Sequence, residues 1–153
     1  MDAEKVDRSA IRIRTAGVGD LQSITALDRK ITGLAKPDYW RDLIRRYGGR
    51  KRERHFLIAE SGEEMVGFIM GEVRAWEFGS SPCGWVFAVN VEPDKRVGGI
   101  GTMLFDALCD RFRKNDVATV RTMLARDDTL IMSFFRSQGM MAGPYIELEA
   151  ALD

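Results

Sequence analysis

Three closely spaced glycines are the residues of this sequence best suited to binding chemistry. They are Gly98, Gly99 and Gly101, and they stand between an apolar run and a helical pattern. Glycine removes side chains where a helix begins, so consecutive backbone N–H groups can converge on an anion, which the helix dipole also favours. Arg96 precedes the glycines and adds a cation, and the Thr102 hydroxyl lies in the first helical turn. The segment therefore predicts a phosphate-binding loop.

Two familiar nucleotide-binding loops do not fit this segment. A Walker loop needs Gly-Lys followed by Ser or Thr, and the sequence contains no such triplet. A dinucleotide-binding loop needs a glycine three residues after Gly101, where Leu104 stands, and an acidic residue at the end of the next strand. The predicted phosphate therefore belongs to another class of ligand.

The elements that must position the loop follow from hydrophobic periodicity. Alternating or mostly apolar runs predict strands at 11–15, 56–59, 65–70, 85–91, 117–124 and 145–148. Apolar stripes at helical spacing predict helices at 21–31, 37–47, 100–114 and 129–138. The run 85–91 is more apolar than an alternating surface strand, which favours a strand covered on both faces at the centre of the sheet. The order predicts a mixed α/β fold.

Length, charge and cysteine content narrow the class of protein. The 153 residues, 45% hydrophobic, predict a single domain over 1–153 with a flexible segment at 1–10. The 23 basic and 23 acidic residues balance, so no overall charge drives binding to nucleic acid or a membrane. No apolar run is long enough for a membrane helix. One histidine and two separated cysteines argue against a zinc site, and we expect no metal and a reduced, cytoplasmic setting.

The glycine loop resembles the acyl-CoA-binding signature of the GNAT superfamily of N-acetyltransferases, Arg/Gln-x-x-Gly-x-Gly/Ala. Arg96, Gly99 and Gly101 match it, and the element order over roughly residues 11–150 is also similar. Further similar positions are Val91, Pro93, Ile100 and Thr102. The resemblance implies a mixed α/β fold with a central, mostly antiparallel twisted sheet, a splayed V-shaped opening between two strands, and about four flanking helices.

The same resemblance implies how acetyl-CoA is held. The pyrophosphate lies on the backbone amides of the loop beside Arg96, and the pantetheine arm bonds to exposed backbone at Val89 and Val91. The loop amides are those of Val97, Gly98, Gly99, Ile100, Gly101 and Thr102. The Val89 amide also polarises the thioester carbonyl, an effect often worth about 3 kcal/mol. The alternative is that the glycines only form a tight turn between strand and helix.

The last predicted helix resembles a second family pattern, Asn-x-x-Ala-x-x-Phe-Tyr-x-x-x-Gly. Phe134 and Gly139 match it, and Asp128 stands where the family has Asn. The resemblance thus implies that Asp128 and Phe134 contact the cofactor. Phe135 replaces the tyrosine that protonates the leaving thiolate in many members, and a phenyl ring has no proton to give. Tyr145 or water is then the proton donor, or the activity is low or absent.

A base is the second open question, because the attacking amine must be neutral. At pH 7, deprotonation costs about 4.6 kcal/mol for a lysine and about 1.4 kcal/mol for an α-amine. Some family members carry a glutamate in the strand before the loop, but 85–89 contains no carboxylate. Glu72 is the first choice as base, and Asn90 is a water-positioning group. Other candidates are Asp28 and Glu77, and for each carboxylate an ordinary surface role is the alternative.

The single histidine and the two cysteines are not assigned to the chemistry. His55 follows a charged run and is expected to be exposed, although its ordinary pKa would suit a base. Cys83 and Cys109 have no nearby histidine in the sequence, so packing is favoured over a nucleophilic role.

Family members build the acceptor pocket from the first two helices and the loop after the third strand, here 28–47 and 74–84. We expect Asp28, Tyr39 and Trp76 to contact the acceptor, with Trp40 and Phe78 as further aromatic candidates and core packing as the alternative for Trp40. Residues 41–54 carry seven basic residues against two acidic ones, a local charge of plus five. That segment can steer an acidic substrate or protein surface, or it is simply a solvated helix end.

The resemblance implies an acetyltransferase that uses acetyl-CoA on a primary amine by direct attack. The acceptor is a protein N-terminus, a lysine or a small-molecule amine. The alternative is a catalytically weak GNAT-fold module that binds acyl-CoA or a protein partner for regulation. We expect no nucleic-acid or membrane partner, because the interleaved aromatic residues of a stacking platform are absent from the basic segment. The resemblance also allows a homodimer.

Overall fold

The computed structural model describes residues 7–153 and divides the chain into two compact units, one reaching Met123 and the other spanning Leu124–Asp153. The first unit contains β1 (Ile11–Thr15), α1 (Leu21–Thr32), α2 (Pro37–Tyr47), β2 (Arg54–Ser61), β3 (Glu64–Arg74), β4 (Cys83–Val91), α3 (Ile100–Arg113) and β5 (Val120–Thr122). The second unit contains α4 (Thr129–Ser137). These elements confirm the predicted mixed α/β class.

One five-stranded sheet holds the first unit together, in the order β1-β2-β3-β4-β5. The first four strands are antiparallel neighbours, and β5 runs parallel to β4. A tight turn with Gly62 at φ +62° joins β2 to β3 in a hairpin. Within the described residues, β5 pairs only with residues 84–86 of β4. The rest of β4 therefore extends beyond its β5 partner, at the edge where the family resemblance implies a splayed opening.

The face of the sheet under α1 and α2 is built from aromatic rings. Trp40 from α2 is 3% exposed, and its ring centroid lies 5.2 Å from that of Phe68 and 6.1 Å from that of Phe56. Ile24 and Leu27 of α1 are also buried in this cluster. Burying such side chains contributes about 2 kcal/mol each, so the packing fixes both helices on this face.

The opposite face packs against α3 and depends on glycines. A Cβ atom on Gly84 would lie 2.3 Å from the Phe112 ring, and one on Gly71 would lie 3.0 Å from both Phe112 and Leu108. A Cβ atom on Gly67 would lie 3.2 Å from Leu104. The missing side chains let α3 approach the sheet closely, and this position brings the start of α3 to the end of β4.

Three sequence predictions about the strands need correction. Residues 145–148 form no strand, and Ile146 and Leu148 are about 85% exposed, so no burial supports their alternating pattern. The strand predicted at 117–124 is reduced to Val120–Thr122. β4 is not the central strand, because β3 lies in the middle of the sheet. In β4 only Cys83, Gly84 and Val86 are buried, so its apolar sequence does not reflect cover on both faces.

The flexible segment expected at residues 1–10 stays a prediction. Residues 1–6 lie outside the described residues, while Arg8–Ala10 of the segment expected to be flexible form a short 3₁₀ turn. Within residues 7–153, no helix is both long enough and apolar enough to cross a membrane.

Candidate functional site

The glycine loop forms two short turns that end at the start of α3. Pro93–Gly98 is a 3₁₀ helix, and Gly99 then takes the left-handed conformation with φ +79°. Because the first turn of a helix leaves N–H groups without intrahelical acceptors, the amides of Ile100 and Gly101 point out of the end of α3. The loop therefore has the donor geometry and the dipole that an anion needs.

The 3₁₀ helix Pro93–Gly98 bonds some of the loop amides within its own turns, so fewer loop amides are left to bind a phosphate. Each such amide donates to the carbonyl three residues earlier, so the amides of Val97 and Gly98 are directed into the turn. The amides left to bind an anion lie at the N-terminal end of α3, from Gly99 onward. The assignment of all six loop amides to the pyrophosphate stays a prediction, with the helix end as its better-supported part.

Arg96 connects the loop to the strand before it. Its side chain is exposed, and its Nε donates to the carbonyl oxygen of Val91 at 3.4 Å. A guanidinium at this position lies between the loop and the end of β4. The predicted pyrophosphate contact and the predicted pantetheine contact are thus neighbours in the structure.

The backbone of β4 presents alternate amides to its two edges. The Glu92 amide donates to the Val66 carbonyl at 2.8 Å, and Val91, Asn90 and Val89 lie opposite Gly67, Phe68 and Ile69. Bonded and non-bonded pairs alternate along an antiparallel ladder, so the backbone groups of Val89 and Val91 face away from β3. They face the edge beyond the β5 pairing. The family resemblance predicts that the pantetheine arm and the thioester bind at this edge.

A β-bulge lies immediately before this exposed edge. Val86 lies opposite Gly71 and Ala88 lies opposite Met70, so Phe87 has no partner residue on β3. The Phe87 ring is 38% exposed and contacts the Tyr47 ring edge-on at a centroid distance of 6.3 Å. Bulges redirect side chains, and here the bulge turns Phe87 toward α2. The candidate acceptor side therefore begins at Phe87.

Glu72, the predicted base, lies on this side in a network of hydrogen bonds and ion pairs. Its Oε1 accepts from Arg74 Nε at 3.1 Å, and its Oε2 accepts from the Tyr47 hydroxyl at 3.1 Å and lies 3.5 Å from Arg54 Nε. The side chain is 15% exposed. Both oxygens have donors in place, so an amine would have to displace one of them. Burial and the nearby Glu72 carboxylate raise the pKa of Tyr47, which keeps its proton on the phenol.

Asp28, a predicted acceptor contact and alternative base, has a structural position. It is 3% exposed, its Oδ2 accepts from the Trp40 indole N–H at 3.0 Å, and Lys36 Nζ lies 3.0 Å from the same oxygen. The Lys36 ammonium also lies 5.4 Å from the Tyr39 ring centroid. This carboxylate holds α1 to α2, and Trp40 belongs to the core. Tyr39 is 52% exposed and stays a candidate acceptor contact.

Trp76 and Phe78 project from the connection between β3 and β4. They are 74% and 75% exposed, and both have positive φ angles, +67° and +55°. Non-glycine residues rarely adopt this conformation, and it costs about 1–2 kcal/mol at each position. Both rings lie in solvent beside Glu77, another candidate base, which is 51% exposed and 3.7 Å from Arg74. Asn90 projects from β4 on the face that carries Phe68.

The remaining predicted residues belong to the second unit. The Asp128 side chain accepts from the Ile131 amide and caps α4, and the Phe134 and Phe135 rings contact each other edge-on at 5.1 Å. Phe135 is 4% exposed, and Tyr145 is 45% exposed. The roles of Asp128 and Phe134 at the cofactor, and of Tyr145 as proton donor, stay predictions.

Sequence reasoning missed Arg8. Its Nε donates to the Gly98 carbonyl at 2.9 Å, and its guanidinium occupies the space that a Cβ atom on Gly99 would need, 2.3 Å from Nη2. A second cation thus reaches the glycine loop from a position 90 residues away in the sequence. No local motif could have indicated this contact, because it depends on the place of β1 in the sheet.

His55 is not exposed as the sequence predicts. It is 5% exposed, its ring centroid lies 6.1 Å from that of Phe112, and its Nε2 has no hydrogen-bond partner within the described chain. It alternates with Phe56 along β2 and therefore faces α3.

Both cysteines are buried, as the packing interpretation predicts. In residues 7–153, no group of three or more His, Cys, Asp or Glu side chains is arranged to hold a metal ion.

The mixed α/β fold joins a helix end suited to an anion to an open sheet edge, and comparisons with known proteins identify the family. The family described as "Acetyltransferase (GNAT) family" matches residues 21–140. The chain therefore belongs to the GNAT acetyltransferase family and is an acyltransferase. No curated protein matches the sequence.

Solved structures agree on the fold at low sequence identity. Aminoglycoside N-acetyltransferase AAC(6')-Iy in complex with CoA has a TM-score of 0.80 at 14% identity, covering 92% of this chain and 94% of that chain. Aminoglycoside 6'-N-acetyltransferase AAC(6')-Ih from Acinetobacter baumannii has a TM-score of 0.78 at 15% identity, covering 94% and 99%. A ribosomal-protein-alanine N-acetyltransferase from Brucella melitensis biovar Abortus 2308 has a TM-score of 0.75 at 18% identity, covering 94% of this chain and 99% of that chain.

Proposed function

We propose that this chain transfers the acetyl group of acetyl-CoA to a primary amine. The observation that carries the proposal is the meeting of two features at one sheet edge. These are the outward-facing amides of Val89 and Val91 and the helix end at Gly99–Gly101. The family membership supports an acyl transfer, and the CoA complex of a structural neighbour supports CoA as the carrier. The proposal takes residues 1–153 as one catalytic domain.

In the proposed reaction, the amine nitrogen forms a bond to the acetyl carbon and the bond from that carbon to sulfur breaks. The nitrogen loses a proton, and the CoA sulfur leaves as a thiolate that gains one. The Val89 amide donates to the carbonyl oxygen as negative charge develops there, an effect typically worth about 3 kcal/mol. The loop amides and Arg96 hold the diphosphate, so the reacting carbon is positioned by contacts far from it.

The groups that accept the amine proton and supply the thiolate proton are less clearly indicated than the groups that bind acetyl-CoA. Glu72 remains the first candidate base, although an amine must displace Tyr47 or an arginine to reach it. An acceptor with an α-amine needs this help less, because its deprotonation at pH 7 costs about 1.4 kcal/mol. Tyr145 or water is the proposed source of the proton for the thiolate, since Phe135 has none to give.

A second candidate function is a binding module with little or no turnover. The observation that favours it is Phe135, which stands where many relatives carry the tyrosine acid and is itself buried. In this alternative the chain binds acyl-CoA in the same loop and does not transfer the acyl group efficiently.

The first experiment measures binding of acetyl-CoA and of CoA by calorimetry, with Gly99→Val as the test variant. Valine at φ +79° distorts the loop, so we expect the affinity to fall by about 100-fold or more. Gly33→Val is the matched control. Gly33 has φ +83° and no atom within 4 Å of an added Cβ, so it carries the same backbone strain away from the loop, without the clash that a Cβ on Gly99 makes with Arg8.

Micromolar binding that Gly99→Val loses and Gly33→Val keeps would support the cofactor site. Absence of binding in the unaltered protein would refute both candidate functions. Thiol release in the presence of primary amines then separates the two. Turnover that needs the amine supports the transferase, and binding without turnover of any amine supports the module. A Phe135→Tyr variant with a large gain in rate would show that the proton donor limits turnover.

A further inference from the structure

A group of arginines and aromatic rings, which includes the partners of Glu72, lies beside the exposed edge of β4. We call it the arginine–aromatic cluster, and it consists of Tyr47, Arg54, Arg74, Trp85 and Phe87. The Arg74 guanidinium lies 4.7 Å from the Phe87 ring centroid and 6.0 Å from that of Trp85. The Arg54 guanidinium lies 5.6 Å from the Tyr47 ring centroid. The cluster combines elements from α2, β2, β3 and β4.

The cluster lies next to the place where the proposed reaction occurs. Phe87 is the bulge residue and stands two positions before Val89, which is about 7 Å along an extended strand. Phe87 is 38% exposed, and one third of the Arg74 side chain is exposed. An acceptor whose amine reaches the carbonyl at Val89 from this side must therefore pass over Phe87 and Arg74.

The charge of this surface is positive. Glu72 is 15% exposed and is already paired with Arg54 and Arg74. Arg46 adds a third guanidinium, 5.7 Å from the Tyr47 ring centroid, and is itself paired with Asp42 at 2.9 Å. The segment 41–54, with a net charge of plus five, leads into β2 at the same place. The carboxylates thus neutralise only part of the guanidinium charge.

Arg74 keeps part of its side chain accessible beside its ion pairs. Its Nε pairs with Glu72 and its Nη1 with Glu77, its guanidinium carbon lies over the Phe87 ring, and the side chain is 33% exposed. A planar guanidinium binds carboxylates and phosphates through its N–H groups. The exposed part of Arg74 can therefore meet an anionic group that lies over Phe87.

We propose that the acceptor is a primary amine that also carries an anionic group, and that Arg74 and Arg54 bind this group beside Phe87. The proposal rests on the transferase function above and specifies its acceptor. The anionic group fixes the acceptor, and the same cations favour the neutral form of a nearby amine by charge repulsion. That second effect partly replaces the carboxylate base missing from β4. An acceptor with several positive charges is disfavoured for both reasons.

The test compares acceptors that differ in the anion alone. ε-Aminocaproate and its amide share one primary amine, and a peptide pair with acidic or basic residues after the same N-terminal alanine distinguishes a protein source from a small molecule. Spermidine serves as the polycation. The measurement is kcat/KM from thiol release with saturating acetyl-CoA. We expect the anionic member of at least one pair to exceed its partner about tenfold or more, the size of one charge-assisted contact.

The variants assign this preference to the cluster. Arg74→Gln should reduce the preference toward one and leave the KM for acetyl-CoA unchanged, and Arg54→Gln provides a second variant if the first does not fold. Arg12→Gln is the control, because Arg12 is 75% exposed on β1 and lies 3.8 Å from Glu60. It should keep the preference. The proposal would be overturned if neither anionic acceptor exceeded its partner, or if spermidine were turned over as well as the better anionic acceptor. An unchanged preference in both cluster variants would also overturn it.

A binding measurement separates this proposal from the transferase function itself. If no amine is turned over, calorimetry with the N-acetylated products of each pair, added to protein saturated with CoA, still reports on the cluster. Tighter binding of the anionic product would support the cluster even though transfer had failed. Equal binding, or no binding of either product, would overturn it.

Discussion

On the face of the sheet that packs against α3, glycines bring helix and strands close together, whereas the face under α1 and α2 carries aromatic rings and paired charges. The α3 face leads to the glycine loop, where the proposed contacts are backbone amides. The other face leads to Phe87, where the proposed contacts are side chains. Backbone donors recognise what every acyl-CoA shares, and side chains recognise what differs between acceptors.

The two faces of the sheet also differ in whether their charged and polar side chains have partners. Under α1 and α2, the buried carboxylate of Asp28 and the partly buried carboxylate of Glu72 both have cationic and hydrogen-bond partners. On the α3 face, His55 is buried with no partner at Nε2 among the described residues. A buried polar group without a partner costs free energy, so the α3 face tolerates charge poorly.

The largest effect is expected from removing the amide proposed to stabilise the oxyanion. Val89→Pro deletes an N–H that faces away from β3, so the ladder to β3 keeps its hydrogen bonds. We expect kcat to fall by about 10²- to 10³-fold, which corresponds to about 3–4 kcal/mol. The measurement is thiol release at saturating acetyl-CoA with an acceptor that the unaltered protein acetylates.

The comparison variant for this prediction is Asn90→Pro. By the same alternation its N–H faces β3, opposite Phe68, so its loss should lower the melting temperature more than Val89→Pro does. Two variants with equal loss of stability would show that the assignment of amides to the two edges is wrong. A stable Val89→Pro variant with normal kcat would show that another donor polarises the carbonyl.

The cofactor half of the site was predictable because it is local in the sequence. Arg96, Gly99 and Gly101 lie within six residues and combine with one strand and one helix, which periodicity indicates well. The acceptor half was not predictable in the same way. Tyr47, Glu72 and Phe87 come from three elements and meet only because of pairing register and a bulge. Glu72 was predicted as a base from the sequence, but no sequence pattern indicated that Tyr47, Arg54 and Arg74 contact it.

Burial explains two further differences between sequence and structure. His55 was expected to be exposed because charges precede it, yet β2 begins at Arg54 and alternation turns the next side chain toward α3. Residues 145–148 alternate like a strand, but nothing buries their apolar side chains. A local pattern indicates a strand only where a neighbour covers one of its faces.

A smaller effect is expected from Arg8, the cation that reaches the loop from the N-terminal side. Arg8→Ala removes a charge beside Gly98 and Gly99, so we expect the affinity for acetyl-CoA to fall about fivefold, or about 1 kcal/mol. The effect should shrink as salt is raised, because the contact is exposed. Calorimetry at two salt concentrations measures it, with Arg12→Ala as the control. Tighter binding by Arg8→Ala would contradict this role and would mean that the guanidinium competes with the phosphate.

The smallest effect concerns stability and tests the claim that the α3 face tolerates charge poorly. Burial, with a smaller contribution from the Arg111 charge, lowers the pKa of His55 below its ordinary value of 6.5. Below about pH 6.5 the unfolded chain therefore binds a proton that the folded chain does not, so the free energy of unfolding falls as the pH is lowered. The slope from this one group is at most about 1.4 kcal/mol per pH unit. Urea unfolding of the unaltered protein and of His55→Gln at pH 7.5, 6.5 and 5.5 measures it.

The glutamine variant cannot gain this proton, so its unfolding free energy should depend less on pH over the same range. The matched comparison is Asp28→Asn on the opposite face. It removes a buried carboxylate that is already paired with Lys36, and it should keep the histidine-dependent slope of the unaltered protein. Equal slopes in the unaltered protein and in His55→Gln would mean that water reaches His55 on protonation. The α3 face would then accommodate a charge, and the contrast between the two faces would rest on the glycines and the aromatic rings alone.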